Sequence, residues 1–213
     1  THIRPTRMSP RLQTPVKALK KQPTQARSRA LVEAVIEAAA RVLVERGGAG
    51  LTTNHVAERA GVSIGSLYQY FPDKTAILAA LFARHHAEII AIFEQSTLSG
   101  HDLEADLRTL VDAAVAAHQV DPALHEALTA CAPTLAPYVD FAAIRSDLSG
   151  RLTMFFEGYA HAIAPHDPAY AAFLAEHTIE SVVHGAVLHA PERLNPALAC
   201  DLARMLARHL TGA

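Results

Sequence analysis

Residues 52–74 read TTNHVAERAGVSIGSLYQYFPDK, and the fold turns on this stretch. Thr52 to Ala60 has the composition of a short helix, with Val56, Ala57 and Ala60 as a small apolar face. Gly61 follows, the residue type that adopts the left-handed backbone of a helix end at least cost. Ser63 then offers a hydroxyl N-cap for a second short helix reaching about Tyr70. Two helices joined by a short turn containing glycine form a helix-turn-helix, whose second helix enters the DNA major groove. Ala57, Gly61 and Gly65 are small enough to let the two helices cross closely.

The side chains of this segment expected to reach DNA are Thr53, Ser63, Ile64, Ser66, Tyr68, Gln69, Tyr70 and Lys74, with Arg27 and Arg29 upstream. Gln69 is the best equipped for direct readout, since its amide pairs bidentately with an adenine edge. Ile64 has only a thymine methyl to meet, which predicts an A·T preference at that contact. Tyr68, Tyr70, Thr53 and Lys74 suit phosphates, which fix register without carrying sequence information. Pro72 and Asp73 open the next helix, whose N–H groups beside Lys74 are expected to form a second phosphate site. Leu67 and Phe71, four residues apart, are core. Gly61 to Gly65 also satisfies the G-x-S-x-G pattern of a hydrolase nucleophile elbow, but that motif needs a strand before the serine. Here the preceding residues form helix, so no catalytic residue and no enzyme activity is expected.

The run from Ala57 to Leu78, A-x-x-A-G-V-S-x-G-S-L-Y-x-Y-F-x-x-K-x-x-I-L, resembles the DNA-binding signature of TetR-type transcriptional regulators. The match is dense over roughly residues 30–80, far more specific than an isolated pattern. Beyond it the resemblance extends only to length and helical character. Ile64 stands where similar proteins often carry a polar or basic residue. The resemblance implies an all-α chain with an N-terminal three-helix DNA-binding head and a C-terminal helical body for ligand binding and dimerisation. It also implies a small, often lipophilic or aromatic, effector in that body.

Of the 213 residues, half are hydrophobic, Trp is absent and strand-type alternation is hard to find, which favours an all-helical protein. The net charge of −2 hides a division. Residues 1–86 hold 13 Lys/Arg against 5 Asp/Glu, giving +8; residues 87–213 hold 6 against 16, giving −10. A basic head on an acidic body suits a protein that turns one end to phosphate. Cys131 and Cys200, the only cysteines, are expected to be reduced thiols. The basic N-terminus lacks the apolar stretch of a signal peptide, and no apolar run is expected to span a membrane. The expected location is cytoplasmic, with the nucleoid.

Four segments follow from punctuation and periodicity. Residues 1–25 read as a flexible, Pro-rich arm whose basic residues run on to Arg29 with no acid before Glu33. Such an arm is expected to lie along phosphates or in the minor groove. Residues 26–72 are the helix-turn-helix domain, with a first helix near 24–46 ended by Gly47 and Gly48. Residues 73–98 are a linking helix, and 99–213 the effector-binding and dimerisation domain. Its helices are expected near 102–119, 121–131, 137–163, 168–190 and 195–211, with breaks at Pro122, Pro133, Pro165 and the Pro191 to Pro196 loop.

Within that domain His118, His125, Cys131, Tyr138, Phe141, Phe155, Phe156 and Tyr159 combine aromatic walls with sparse polar groups, as a small-molecule cavity between helices requires. Ile179, Val182, Val183, Ala186 and Val187, then Leu202, Met205 and Leu206, form apolar stripes on the last two helices. Paired with a second copy, they would build a four-helix dimer interface. His177, Glu180 and His184 share one helix face, but strong metal-site clusters are missing, so neither a metal nor another cofactor is expected.

The expected function is that of a homodimeric, sequence-specific transcriptional regulator, a repressor released from a palindromic double-stranded DNA operator by a small lipophilic or aromatic effector. One recognition helix reads few base pairs, and two-fold pairing on a palindrome solves that. The alternative is an architectural DNA-binding protein without an effector.

Overall fold

The computed structural model describes residues 17–163 and 167–212. Residues 1–16 of the basic arm lie outside the described residues. Among those described, every regular element is helical: α1 (Ala26–Gly50), α2 (Thr53–Ala60), α3 (Ile64–Tyr68), α4 (Lys74–Gln95), α5 (Leu103–Gln119), α6 (Pro122–Cys131), α7 (Phe141–Glu157), α8 (Pro168–His189) and α9 (Pro196–Thr211). Side-chain caps set most of the starts. Thr52, Ser63, Asp102, Asp121, Asp167 and Asn195 each accept a backbone N–H from the first turn of the following helix. Proline opens α6, α8 and α9, where its missing N–H costs nothing. The regular part of α1 ends at Gly47, whose φ of 66° breaks the helix before a further turn.

The helices divide into two compact units. The first holds the described residues up to Ala87 together with Asp121–Phe141; it is the head. Its core includes Val35, Ala39, Leu43, Leu51, Val56, Leu67, Phe71, Ile77 and Leu81, each fully or nearly fully buried. The sequence expectation placed 121–141 in the body. Instead α6 packs against α1, because Leu124, Leu128 and Cys131 turn their side chains inward there. The close approach is made at Gly48, where an added methyl would lie 2.5 Å from the Cys131 sulfur. Burial raises the pKa of that thiol against the opposing field of Lys74, so it is a packing group. Gly48→Ala is expected to cost about 2 kcal/mol through overpacking. Combining it with Cys131→Ala should recover most of that in thermal unfolding; a double variant no better than the single would disprove the clash.

The second unit holds Glu88–Val120 and the described residues from Ala142 onward; it is the body. α5 packs against α8 and α9 around Leu107, Val111, Phe156, Ile163, Ala175, Val183, Ala203 and Leu210. Asp106, only 2% exposed, sits in this core. It accepts the N–H of Ser99 at 2.7 Å, that of Gly100 at 2.8 Å and the Tyr159 hydroxyl at 2.6 Å. Burial pushes its pKa up, but the Tyr159, Ser99 and Gly100 donors together outweigh it and hold the carboxyl below the ordinary 3.8.

The structure revises the effector list. Phe156 and Tyr159 are core, and Tyr159 is committed to Asp106. Cys131, Tyr138, His125 and Phe141 belong to the head unit, whereas His118, Phe155, Phe156 and Tyr159 belong to the body. Phe141 meets Phe82 edge-on at 5.3 Å, and His125 Nδ1 lies 3.2 Å from His85 Nε2. Eight residues read as one lining therefore divide between the two units. Phe155, half-buried beside Phe156 and Tyr159, and His118, beside His184, remain the body's candidates.

The dimer list is revised similarly. Ile179, Val183, Ala186, Leu202 and Leu206 are buried within the single chain, and all but Ala186 belong to the body's core cluster. Val182 and Met205 are exposed and Val187 is half-buried. Tyr170, Phe173 and Leu188 are exposed as well, on a face the sequence reading did not single out. His177 lies tilted against Phe173 at 4.3 Å while His184 meets His118, so His177, Glu180 and His184 do not converge.

One membrane expectation also needs correction. By length and composition alone, Lys74–Gln95 is apolar enough to cross a membrane. Ala76, Ile77, Leu78, Ala79, Leu81 and His85 of this helix are nevertheless buried within the protein.

Candidate nucleic-acid interface

The head positions α3 through a short chain of local causes. Thr52 accepts the His55 N–H and starts α2. Gly61 ends it in the left-handed region, with φ 67° and ψ 29°, so its N–H and that of Val62 can satisfy the last carbonyls. Ser63 starts α3 by accepting the Ser66 N–H at 3.0 Å, and its hydroxyl also meets that of Ser66 at 2.8 Å. Leu67 and Phe71 then pin α3 to the core, each fully buried. With that face fixed inward, the opposite face is presented to solvent.

The outward face carries Ile64, 38% exposed, Tyr68, 42% exposed, and Gln69. An open apolar side chain can meet a thymine methyl, and a glutamine amide can pair with an adenine edge. Thr53 and Tyr68 join their hydroxyls at 3.1 Å, tying the start of α2 to the end of α3. Both keep oxygens suited to phosphate. His55 supports this corner from behind. Arg46, which can only donate, meets its Nε2 at 3.1 Å, so Nδ1 carries the proton and donates to the Gly50 carbonyl. Arg27 and Arg29 are exposed near the start of α1, and the Arg29 guanidinium donates to the Thr24 carbonyl at 2.6 Å.

Two expected contacts change. Tyr70 is 7% exposed and belongs to the core rather than to the DNA surface. The start of α4 is closed by its own carboxylate. Asp73 Oδ1 accepts the Ala76 N–H at 2.8 Å, and Oδ2 accepts the Tyr138 hydroxyl at 2.7 Å. A phosphate would have to displace a negative group, so this terminus is not an open anion site. Lys74 stays exposed, its ammonium 3.5 Å from the Gly48 carbonyl.

The sequence reading missed the part played by Tyr138. Its hydroxyl is held by Asp73, which raises its pKa, and its carbonyl accepts the Lys17 N–H at 3.1 Å. Lys20 bonds the end of α3 and the residues just after it, through Nζ to the Tyr68 carbonyl at 3.3 Å and through its N–H to that of Tyr70 at 2.8 Å.

Comparison with known proteins agrees with this geometry. Residues 35–81 match the family model for bacterial regulatory proteins of the tetR family, and residues 102–210, about half of the chain, match the tetracyclin repressor-like C-terminal domain. The HTH-type transcriptional repressor KstR of Mycolicibacterium smegmatis is 32% identical over 95 residues, which cover 45% of this chain and 47% of that protein. The match thus spans about half the length of that curated relative. The fatty acid degradation regulator FadR from Bacillus halodurans has a similar fold, with a TM-score of 0.61 at 23% identity over 88% of this chain and 96% of that one. NalD, the secondary repressor of the MexAB-OprM multidrug efflux pump in Pseudomonas aeruginosa, gives 0.65 at 18% identity over 88% and 98%. With its helix-turn-helix head and its helical body each matched, this chain belongs to the TetR family of bacterial regulatory proteins.

Proposed function

We propose that the protein is a sequence-specific DNA-binding transcriptional regulator, acting as a homodimeric repressor on a palindromic operator in the cytoplasm. The observation that carries this reading is the α2–α3 corner. A five-residue helix is pinned by Leu67 and Phe71 and turns Ile64, Tyr68 and Gln69 outward. Dimerisation is supported by Tyr170, Phe173, Val182, Leu188 and Met205, large apolar side chains left open on α8 and α9. The effector is a small lipophilic or aromatic molecule taken up by the body, with Phe155 and His118 as contacts. It releases the operator by binding better to a conformation in which the two reading helices no longer match successive grooves.

Affinity selection on random duplex DNA tests the reading. An enriched palindrome with half-sites about 10 bp apart, or somewhat more, is the expected result. Weak binding without sequence preference would overturn it in favour of an architectural role. On the selected operator, Gln69→Ala should relax preference at one position per half-site, by about 1–3 kcal/mol of lost discrimination. Lys74→Ala should weaken all sequences alike and lower the salt slope by about 1. A Gln69 variant with an unchanged preference profile would remove that residue from the readout.

A further inference from the structure

The segment from Lys17 to Lys21 has no part in the helix-turn-helix, yet it is bound to it. The Lys17 N–H is held by the Tyr138 carbonyl, and the Lys20 N–H and ammonium are held by the Tyr70 and Tyr68 carbonyls. Ala18 between them is 4% exposed. These residues form a strap fastened at one end to the residues following α6 and at the other to the end of α3. From Lys17 to Glu33 the sequence carries Lys17, Lys20, Lys21, Arg27 and Arg29 before it meets an acid. Lys20 spends its ammonium on a carbonyl and Arg29 its guanidinium on Thr24. Lys17 and Lys21 are exposed, and among the described residues neither has an ion-pair partner.

Geometry gives these two charges a place to act. α3 is five residues long, about 7.5 Å at 1.5 Å per residue, and the major groove is about 12 Å wide. An element attached to one end of a helix lying in that groove therefore falls at the groove wall, where the phosphates are. We infer that Lys17 to Lys21 is a second DNA-contacting element, which sets Lys17 and Lys21 on the phosphates flanking each half-site. This rests on the DNA-binding reading above. The strap contributes affinity and register, because phosphate contacts carry no sequence information. Its backbone bonds order the segment before DNA arrives, so little ordering entropy remains to be lost on binding.

The test uses the full chain and the operator obtained by selection. The double variant Lys17→Gln, Lys21→Gln keeps polar, unbranched-at-Cβ side chains and every backbone bond of the strap but removes both charges. Operator affinity is measured from about 50 to 200 mM salt, where each phosphate contact contributes about 0.9 to the slope of log K against log salt. The expected result is a slope shallower by about 1.8 for each chain bound, an unchanged sequence preference and an unchanged thermal midpoint. A variant with the wild-type slope and affinity would overturn the strap and leave the reading helix untouched. A changed sequence preference would overturn it too, since it would mean the lysines act through the placement of α3. Failure of the wild-type chain to bind any duplex would remove this inference together with the reading beneath it.

Discussion

Asp106→Ala is expected to destabilise the body by about 3 kcal/mol, a loss of roughly 6–12 °C in thermal midpoint. The substitution deletes one acceptor group but strands three donors. The N–H groups of Ser99 and Gly100 and the Tyr159 hydroxyl all converge on this carboxylate at 2.6–2.8 Å. A net hydrogen bond to a charged partner contributes about 1.5–3 kcal/mol, whereas a buried donor left unsatisfied costs its own desolvation. Asp106→Asn is the sharper comparison. It preserves shape, but its amide NH2 must face a site where all three partners donate, so it should recover less than half of the loss. Tyr159→Phe removes a single donor and should cost about 1–2 kcal/mol. An alanine variant within 1 kcal/mol of wild type would show that the network is not what holds residues 99 and 100 onto α5.

The same carboxylate contributes to acid sensitivity. Its folded pKa lies below 3.8, so the folded state favours the ionised form more than the unfolded chain does. Stability from this group is therefore fully present above the unfolded value and is lost as pH falls through it toward the folded one. Denaturation followed below about pH 4 should show a stability slope in wild type that Asp106→Asn reduces.

Much of this fold was legible because local chemistry agreed with global structure. Proline at 122, 168 and 196, each preceded by Asp or Asn, marks a helix start in the sequence and in the structure. Gly61 marked the turn because only a residue without a β-carbon takes that backbone freely. The placement of α6 was not legible. Leu124, Leu128 and Cys131 state that this helix buries a face, but nothing in their spacing says that the face meets α1 near Gly48. Tyr138 was misread for a related reason. An aromatic with a hydroxyl suits a ligand cavity and a carboxylate partner 65 positions away equally well, and only the folded chain distinguishes them. On α3, the alternation of Leu67 and Phe71 with Ile64 and Gln69 was enough to separate core from surface, but it did not reveal that Tyr70 also turns inward.

The proposed dimer face shows the limit of periodicity most clearly, and it carries the largest functional prediction. α8 is apolar on two sides. Ala171, Ala172, Ala175, Ile179, Val183 and Ala186 face inward, while Tyr170, Phe173 and Leu188 face outward. Spacing alone placed the buried Ile179, Val183, Ala186, Leu202 and Leu206 in the interface together with the more open Val182, Val187 and Met205. Burial within one chain leaves the outer side as the proposed interface, with Phe173 and Met205 each 52% exposed. Glutamate at both positions leaves the core of the body intact and sets four charges into a two-fold interface, where each must be desolvated beside its like. Phe173→Glu with Met205→Glu is therefore expected to sediment as a folded monomer with an unchanged helical spectrum. Its operator affinity should fall roughly 100-fold or more, because the second half-site no longer binds at the effective concentration that pairing supplies. The single half-site should be bound as before, with the Gln69 preference retained. A double variant that stays dimeric would move the interface away from this face. One that becomes monomeric while keeping full operator affinity would show that the two reading helices act independently.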